Sequence, residues 1–324
     1  MLYLNDSHIQ ELGIDWRVLT GIIQDVVRIE DEGDCVHPLK PYLRFRNPEN
    51  RIIAMPAYVG GSFNLAGIKW IASFPKNHLH GLPRAHNTII LNDTATGEPL
   101  AFLNSGLLSG LRTAAVSGVM LKAYVEARQP AGIRLGIIGW GPIGRLHLDM
   151  CAAILGDKLK QVTLYDLRGI DPATVPAELR NITIIADDWR IPYRHADIIA
   201  TCTVSANRYI DEVPKEGVLL LGVSLRDYIP RSVAHVKTIV VDDWNEVCRE
   251  NTDVEQLHLK YGLQLSDVCT LADVVCRDAL IHRGTENTVF FNPMGLAIFD
   301  IGVAGYYWAK AQRLGSGVKL DQGE

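Results

Sequence analysis

The stretch Ile133-Arg134-Leu135-Gly136-Ile137-Ile138-Gly139-Trp140-Gly141-Pro142-Ile143-Gly144 decides the fold. Its first six residues read as a buried strand, and the glycines that follow have the spacing GxGxxG. A helical pattern continues to Leu155, so the glycines occupy a strand-to-helix turn, the context that gives this spacing meaning. There Gly139 makes the tight turn, Gly141 lets a pyrophosphate approach the backbone, and Gly144 permits close packing of helix on strand. Pro142 suits a first helical turn whose free N–H groups face phosphates. Trp140 and Ile143 complete the expected cofactor turn.

Outward from this turn, apolar runs recur at Val162–Asp166, Ile182–Ala186, Asp197–Thr203, Gly217–Val223 and Thr238–Asp242. Near-continuous apolar strands separated by helical patterns predict a doubly wound, Rossmann-type parallel sheet over residues 129–284. Asp166 ends the second strand, 22 residues beyond Gly144. A carboxylate there binds adenosine ribose hydroxyls and repels a 2′-phosphate, which favours NAD over NADP, although Arg168 follows closely. Thr201-Cys202-Thr203 and Ser224 end later strands at the carboxyl edge, where such sheets bind ligands.

The first 104 residues read differently. A helix is expected from Ser7 to about Glu32, capped by Asp6-Ser7. Strands follow at Tyr42–Arg46, Arg51–Val59, Ala66–Ser73, Thr88–Asn92 and Leu100–Leu103, with turn signals between them. Their short spacing suggests antiparallel meanders, so the fold class is α/β with an added α+β domain. A long helix from Ser105 to Val125 leads to a Gln129-Pro130-Ala131-Gly132 linker. Trp244–Tyr261 and Asn292–Arg313 also read as helices, and Gly315 to Glu324 as a frayed end. The expected first domain is therefore discontinuous, residues 1–128 with 285–324.

The formal net charge of −5 argues against a general nucleic-acid binder. That average conceals a cationic island: His37 to His86 holds seven Lys/Arg and one acid, Glu49. A pocket for a small anion is the natural use of such an island. Lys69 stands in the apolar run Leu65–Ile71, where an unpaired ammonium is costly to bury. Arg112 stands among small and apolar helix residues, and its planar fork can grip a carboxylate. Six cysteines without CxxC spacing read as free thiols. No secretory signal or membrane-length apolar run is evident, so a cytoplasmic protein without membrane partners is expected. His78, His80 and His86 have no nearby carboxylate, and no metal is expected.

Together, Gly67-Ile68-Lys69, Arg112-Thr113-Ala114-Ala115, the GxGxxG turn and Asn292-Pro293-Met294-Gly295-Leu296-Ala297-Ile298 resemble the ornithine cyclodeaminase/μ-crystallin family over nearly the whole chain. The resemblance implies a Rossmann domain, a dimerisation domain completed by the C-terminal helix, and a homodimer. It also implies that Arg44, Lys69 and Arg112 contact a substrate carboxylate, that Arg112 and Thr113 approach the cofactor, and that Met294-Gly295 lies near the nicotinamide. Cyclodeaminases carry an acid in a Gly-Gly-Asp context where this chain has Gly222-Val223-Ser224, with Asp227 three residues further on. Lys40–Arg44, Arg51–Pro56, Val240–Trp244 and Asn292–Gly295 are similar instead to a branch that oxidises N-(2-amino-2-carboxyethyl)-L-glutamate. That resemblance implies a small polycarboxylate substrate, with Arg46, Arg84 or His86 reaching its further carboxylates. Lys69, and after it Asp227, would handle protons. A cyclodeaminase-type lyase and a non-catalytic binding protein are the alternatives.

Overall fold

A computed structural model of the chain describes residues 1–321, leaving aside the side chains of Pro48 and His78. The chain forms two compact units, Met1–Val116 with the segment from Gly295, and Ser117–Met294. The first begins with β1 (Leu2–Asn5), α1 (Asp6–Leu12), α2 (Trp16–Asp31), β2 (Cys35–Val36), β3 (Tyr42–Phe45), β4 (Asn47–Val59), β5 (Leu65–Ser73), β6 (Ala85–Asp93) and β7 (Pro99–Asn104). Helix α3 (Gly106–Arg128) carries the chain from the first unit into the second.

The second unit continues with β8 (Ile133–Ile138), α4 (Pro142–Leu155), β9 (Leu159–Tyr165), β10 (Thr183–Ile185), α5 (Arg190–His195), β11 (Ile198–Thr201) and β12 (Leu219–Leu221). It ends with α6 (Pro230–Val233), β13 (Thr238–Val241), α7 (Trp244–Val247), α8 (Asp253–Tyr261), β14 (Cys269–Thr270), α9 (Leu271–Cys276) and β15 (Val289–Phe291). The chain then returns to the first unit as α10 (Ala297–Leu314) and β16 (Val318–Lys319).

In the second unit every strand pairing is parallel, in the order β10-β9-β8-β11-β12-β15-β13-β14. All six expected strands are present. The order reverses between β8 and β11, the switch point at which doubly wound sheets bind nucleotides. The expected boundary at residue 285 is corrected, because Val289–Phe291 inserts between β12 and β13 as a sheet strand. Three residues are too few to display a period, which is why sequence reading placed them in the other domain.

The sheet of the first unit runs β16-β1-β7-β6-β5-β4-β2, with β3 also on β4. The expected antiparallel meander is β4 to β7, whereas β1 joins β7 in parallel. Helix α10 packs on β4, β5, β6 and α2. Its small residues permit this: a Cβ on Gly302 would lie 2.7 Å from the Val26 side chain.

Four local expectations change. The N-terminal helix is two helices, because Asp15 accepts bonds from the Arg17 and Val18 N–H groups and starts α2 anew. Asn5, not Asp6-Ser7, caps α1 through the His8 N–H. The Trp244–Tyr261 pattern is likewise split, since Asp243 caps α7 and Thr252 caps α8. Finally, part of the end expected to fray is ordered: Val318–Lys319 pairs with Leu2–Tyr3. Residues 322–324 of that expected segment lie outside the described residues.

Candidate functional site

In the second unit the three glycines differ in what surrounds them. Gly139 has φ +102°, and a Cβ there would lie 2.7 Å from the Cys202 carbonyl. A Cβ on Gly144 would lie 2.0 Å from the Gly139 oxygen, so helix α4 can approach β8 only through glycine. A Cβ on Gly141 would meet nothing within 4 Å. The turn is closed on two sides and open at Gly141, where a pyrophosphate would approach. Gly141 caps α4 without a side-chain hydrogen bond, which leaves N–H groups of its first turn for an anion. The residues fit a bound dinucleotide.

Asp166, just after β9, accepts from the Trp140 N–H at 2.8 Å and from the Arg168 N–H at 2.9 Å. Its carboxylate is thus fixed at the edge of the glycine turn, the position expected for a ribose partner. At the ends of β11 and β12, Thr201, Thr203, Ser224 and Asp227 form one hydroxyl–carboxylate cluster. Thr203 Oγ1 donates to Asp227 Oδ1 at 2.6 Å, Ser224 donates to Asp227 Oδ2, and Ser224 also reaches Thr201 Oγ1 at 3.1 Å. Burial pushes the Asp227 carboxyl up, while the Ser224, Thr203 and Thr201 hydroxyls and the charge of Arg208 oppose it. Both Asp227 oxygens therefore hold strand-end hydroxyls in place. Cys202 is tied by its N–H to the Ile138 carbonyl at 2.7 Å, and burial pushes its thiol well up, away from thiolate chemistry.

In the first unit Lys69 lies on β5 beneath α10, and only 1% of it is exposed. Its Nζ donates to Asp300 Oδ1 and to Ser109 Oγ, both at 2.8 Å. Arg112 Nε donates to the same Asp300 oxygen at 3.0 Å. Two buried cations share one carboxylate, so the cluster carries a surplus positive charge in a medium that tolerates it poorly. Asp300 Oδ2 has no hydrogen-bond partner among the described residues. An entering carboxylate would balance the surplus. Burial lowers the Lys69 ammonium to about 8; Asp300 opposes this, and Arg112 and Lys40 reinforce it. Lys40 Nζ donates to the Gly295 carbonyl at 2.8 Å. Gly295 has φ +83°, and a Cβ there would lie 2.4 Å from an Arg112 nitrogen, so Lys40, Gly295 and Arg112 form a packed unit.

Sequence reading found Lys69 and Arg112 but missed Asp300 and Lys40. Asp300 could have been found, because it is the one acid in the helical stretch Ala297–Leu314. Lys40 lies outside any strand or helix and offered no such signal. Thr113 is on α3, with its hydroxyl donated to the Ser109 carbonyl. Arg44, on β3, shares the Lys69 face of the sheet, four residues along by register. His86 does not: it pairs with Ala72 on the opposite face, and its neighbour Asn87 faces the Lys69 side. Arg46 and Arg84 are exposed and flank strands. Met294 belongs to the second unit, where its N–H donates to Asp242 Oδ1 at 2.8 Å. Among the described residues no group of three or more His, Cys, Asp or Glu is arranged to hold a metal; the side chain of His78 lies outside them.

Residues 7–313 match the model of the ornithine cyclodeaminase/mu-crystallin family. An N-((2S)-2-amino-2-carboxyethyl)-L-glutamate dehydrogenase of Staphylococcus aureus is 32% identical, over 99% of this chain and 98% of its own. A Delta(1)-pyrroline-2-carboxylate reductase of Bacillus cereus is 28% identical, over 88% of this chain and 89% of its own. Among solved structures, the Delta(1)-pyrroline-2-carboxylate reductase of Thermococcus litoralis, in complex with NADH and L-proline, has the same fold. It superposes with a TM-score of 0.86 at 22% identity, covering 99% of this chain and 100% of its own. The chain belongs to the ornithine cyclodeaminase/mu-crystallin family.

Proposed function

We propose that this family member is an NAD-dependent amino-acid dehydrogenase that oxidises N-(2-amino-2-carboxyethyl)-L-glutamate to an imine, which water cleaves to L-2,3-diaminopropionate and 2-oxoglutarate. The observation that carries this reading is the buried Lys69–Asp300–Arg112 cluster, in which Arg112, with Lys40 beside it across Gly295, receives a substrate carboxylate and Lys69 is left to take a proton. The 32% identical Staphylococcus aureus relative supports the choice of substrate. The diaminopropionate would serve siderophore or peptide-antibiotic assembly, in a cytoplasmic homodimer.

Arg112 grips the α-carboxylate through its guanidinium. Lys69, lowered to about 8, is the group whose neutral form is accessible near physiological pH. Its Nζ takes the proton that the substrate amine must lose before the carbon–nitrogen bond can become an imine. NAD, when bound at Gly139–Gly144 with Asp166 at the adenosine ribose, supplies the hydride acceptor. Thr203 and Ser224, fixed by Asp227, present hydroxyls and backbone at the strand ends for the second ribose. The Lys40 hydrogen bond to the Gly295 carbonyl and the close packing of Gly295 on Arg112 put both cations in place before substrate arrives.

The test is NADH production, followed by absorbance, with the glutamate adduct as substrate. Stoichiometric NADH and 2-oxoglutarate are expected, and no turnover of the adduct would overturn the reading. Ammonia release from ornithine without net NADH would assign a lyase instead. Tight cofactor binding with no turnover on an amino-acid panel would assign a binding protein.

A further inference from the structure

The segment that leaves β12 carries Ser224 and Asp227 and is built of turns rather than helix or strand. Its Leu225 has φ +69°, a left-handed conformation unfavourable for a residue with a side chain of this size. Such a backbone persists only where its surroundings over-determine it, and such places gather at binding sites. The restraint here is Asp253, the first residue of α8, which is fully buried. Its N–H donates to the Leu225 carbonyl at 2.7 Å. Its Oδ2 accepts from the Asp227 and Tyr228 N–H groups at 3.1 and 3.2 Å. One residue thus grips the segment at three backbone groups, beginning directly after Ser224.

Asp253 is itself held by Arg208, whose Nε donates to Asp253 Oδ1 at 2.7 Å. The other two guanidinium nitrogens donate to the Asn251 carbonyl at 2.6 Å and to Asn251 Oδ1 at 3.2 Å. Glu250 and Asn251 have φ +62° and +58°, so the turn before α8 is left-handed as well. Arg208 follows Thr203 on the segment that leaves β11. Its neighbours Tyr209 and Ile210 donate their N–H groups to the Asp227 carbonyl at 3.0 and 2.9 Å. The pair therefore ties the segment carrying Thr203 to the one carrying Ser224 and Asp227. Burial raises the Asp253 carboxyl to about 7; the Arg208 hydrogen bond and charge and the Tyr228 N–H oppose this, and Asp227 reinforces it. Without Arg208 that carboxyl would keep its proton and accept the two N–H groups more weakly.

We infer that Arg208 and Asp253 are positioning residues for the cofactor, a pair that sets the Thr203 and Ser224 hydroxyls in place for the second ribose of NAD. This deepens the proposed function and rests on its placement of that ribose at the ends of β11 and β12. The path runs from Arg208 to Asp253 and from Asp253 to the backbone N–H of Asp227. From there the Asp227 carboxylate holds the hydroxyls of Thr203 and Ser224. Neither member of the pair needs to touch the ligand. The glycine turn and Asp166 lie outside this path, so the pair acts on one half of the dinucleotide.

Calorimetry on the full chain with ADP and with ADP-ribose tests this, because only the second probe carries the second ribose. Wild type should bind ADP-ribose more tightly than ADP. Arg208→Met should weaken ADP-ribose by about tenfold, the size of one or two hydrogen bonds, and leave ADP within about twofold. Arg208→Lys, which keeps the charge, should recover part of the loss, and Asp253→Asn should resemble Arg208→Met. Thermal melting checks that each variant is folded, and Arg208→Lys with Asp253→Asn carries the comparison if Arg208→Met is not. A Ser224→Ala background separates positioning from general loosening. There Arg208→Met should cost ADP-ribose less than in wild type, because a hydroxyl that the pair positions is gone. Equal losses for both probes, an unchanged ADP-ribose affinity, or full additivity with Ser224→Ala would overturn the role of the pair. A wild type without preference for ADP-ribose would instead overturn the placement of the second ribose, and the role of the pair with it.

Discussion

Replacing Asp300 by Asn keeps the shape of the buried cluster and removes its one negative charge. In the native protein Lys69 balances burial, which lowers its ammonium, against Asp300 at 2.8 Å, which raises it, with Arg112 and Lys40 adding to the downward push. With Asp300 gone, only the downward influences remain. An opposite charge at this range is worth about 1–3 pH units, so the acid limb set by Lys69 should move to lower pH by that order in the variant. The sign for activity follows from the role proposed for Lys69. It acts as the neutral proton acceptor, so kcat/KM falls as pH drops through its value in the free enzyme. Below the native limb the variant should therefore retain a several-fold larger share of its own plateau than the native enzyme retains of its plateau. The variant plateau itself should be lower, because Asp300 also holds Lys69 and Arg112 in position. The assay is the initial rate of NADH formation with the glutamate adduct, taken across the pH range at low substrate concentration. An acid limb that stays at its native position, or that moves to higher pH, would refute the assignment of Lys69 as the proton acceptor tuned by Asp300. Loss of activity with no change in the limb would leave Asp300 as a purely structural residue.

Other substitutions separate the remaining parts of the argument. Gly141→Ala and Gly144→Ala should behave oppositely in calorimetry and thermal melting. The first has room for its methyl group, so it should fold normally and lose NAD affinity by tenfold or more in order of magnitude, as a group intrudes on the ligand's side. The second places a methyl 2.0 Å from a backbone oxygen, so it should lower the melting temperature before any ligand is added. Lys69→Met should cut kcat by about 10²–10⁴ while NAD binding, measured by calorimetry, stays within about twofold. The outer face of the first sheet exposes Val36, Leu43 and Trp70, and a shallow apolar hollow there is lined by Pro56, Ala66 and Ile68. If the proposed homodimer forms through this face, Trp70→Glu should shift the chain towards monomer in sedimentation velocity, and an unchanged sedimentation coefficient would refute this face as the contact.

Local signals carried much of the fold into the sequence. The strand before Gly139 and the requirement for glycine at Gly139 and Gly144 are properties of a few consecutive residues, and the structure has them where the spacing puts them. The six long apolar runs of the parallel sheet are legible for the same reason, since a strand covered on both faces cannot hide its composition. Short pieces were not legible. Val289–Phe291 and Cys269–Thr270 become strands only because neighbouring strands already offer them a ladder, and Leu2–Asn5 joins β7 in parallel from the other end of the unit. The helix breaks at Asp15 and Thr252 depended on side chains choosing to cap rather than to continue a helix, a choice that periodicity does not record.

The site divides along the same line. By itself the sequence determined the kind of chemistry: a glycine turn for a dinucleotide, a lysine and an arginine in apolar surroundings for a carboxylate, and a family to which both belong. Only the tertiary structure decided which groups act on one another. Asp300 meets Lys69 and Arg112 across separations of 231 and 188 residues, and Lys40 meets Gly295 across 255. The parity of strand register put Arg44 and Arg51 on the Lys69 face and His86 on the other. A one-residue step reverses a side chain's face, and the return of the chain to the first unit brings charges far apart in sequence to within about 3 Å. Composition fixes how many charges there are, but their titration and their partners depend on distances that exist only once the chain is folded.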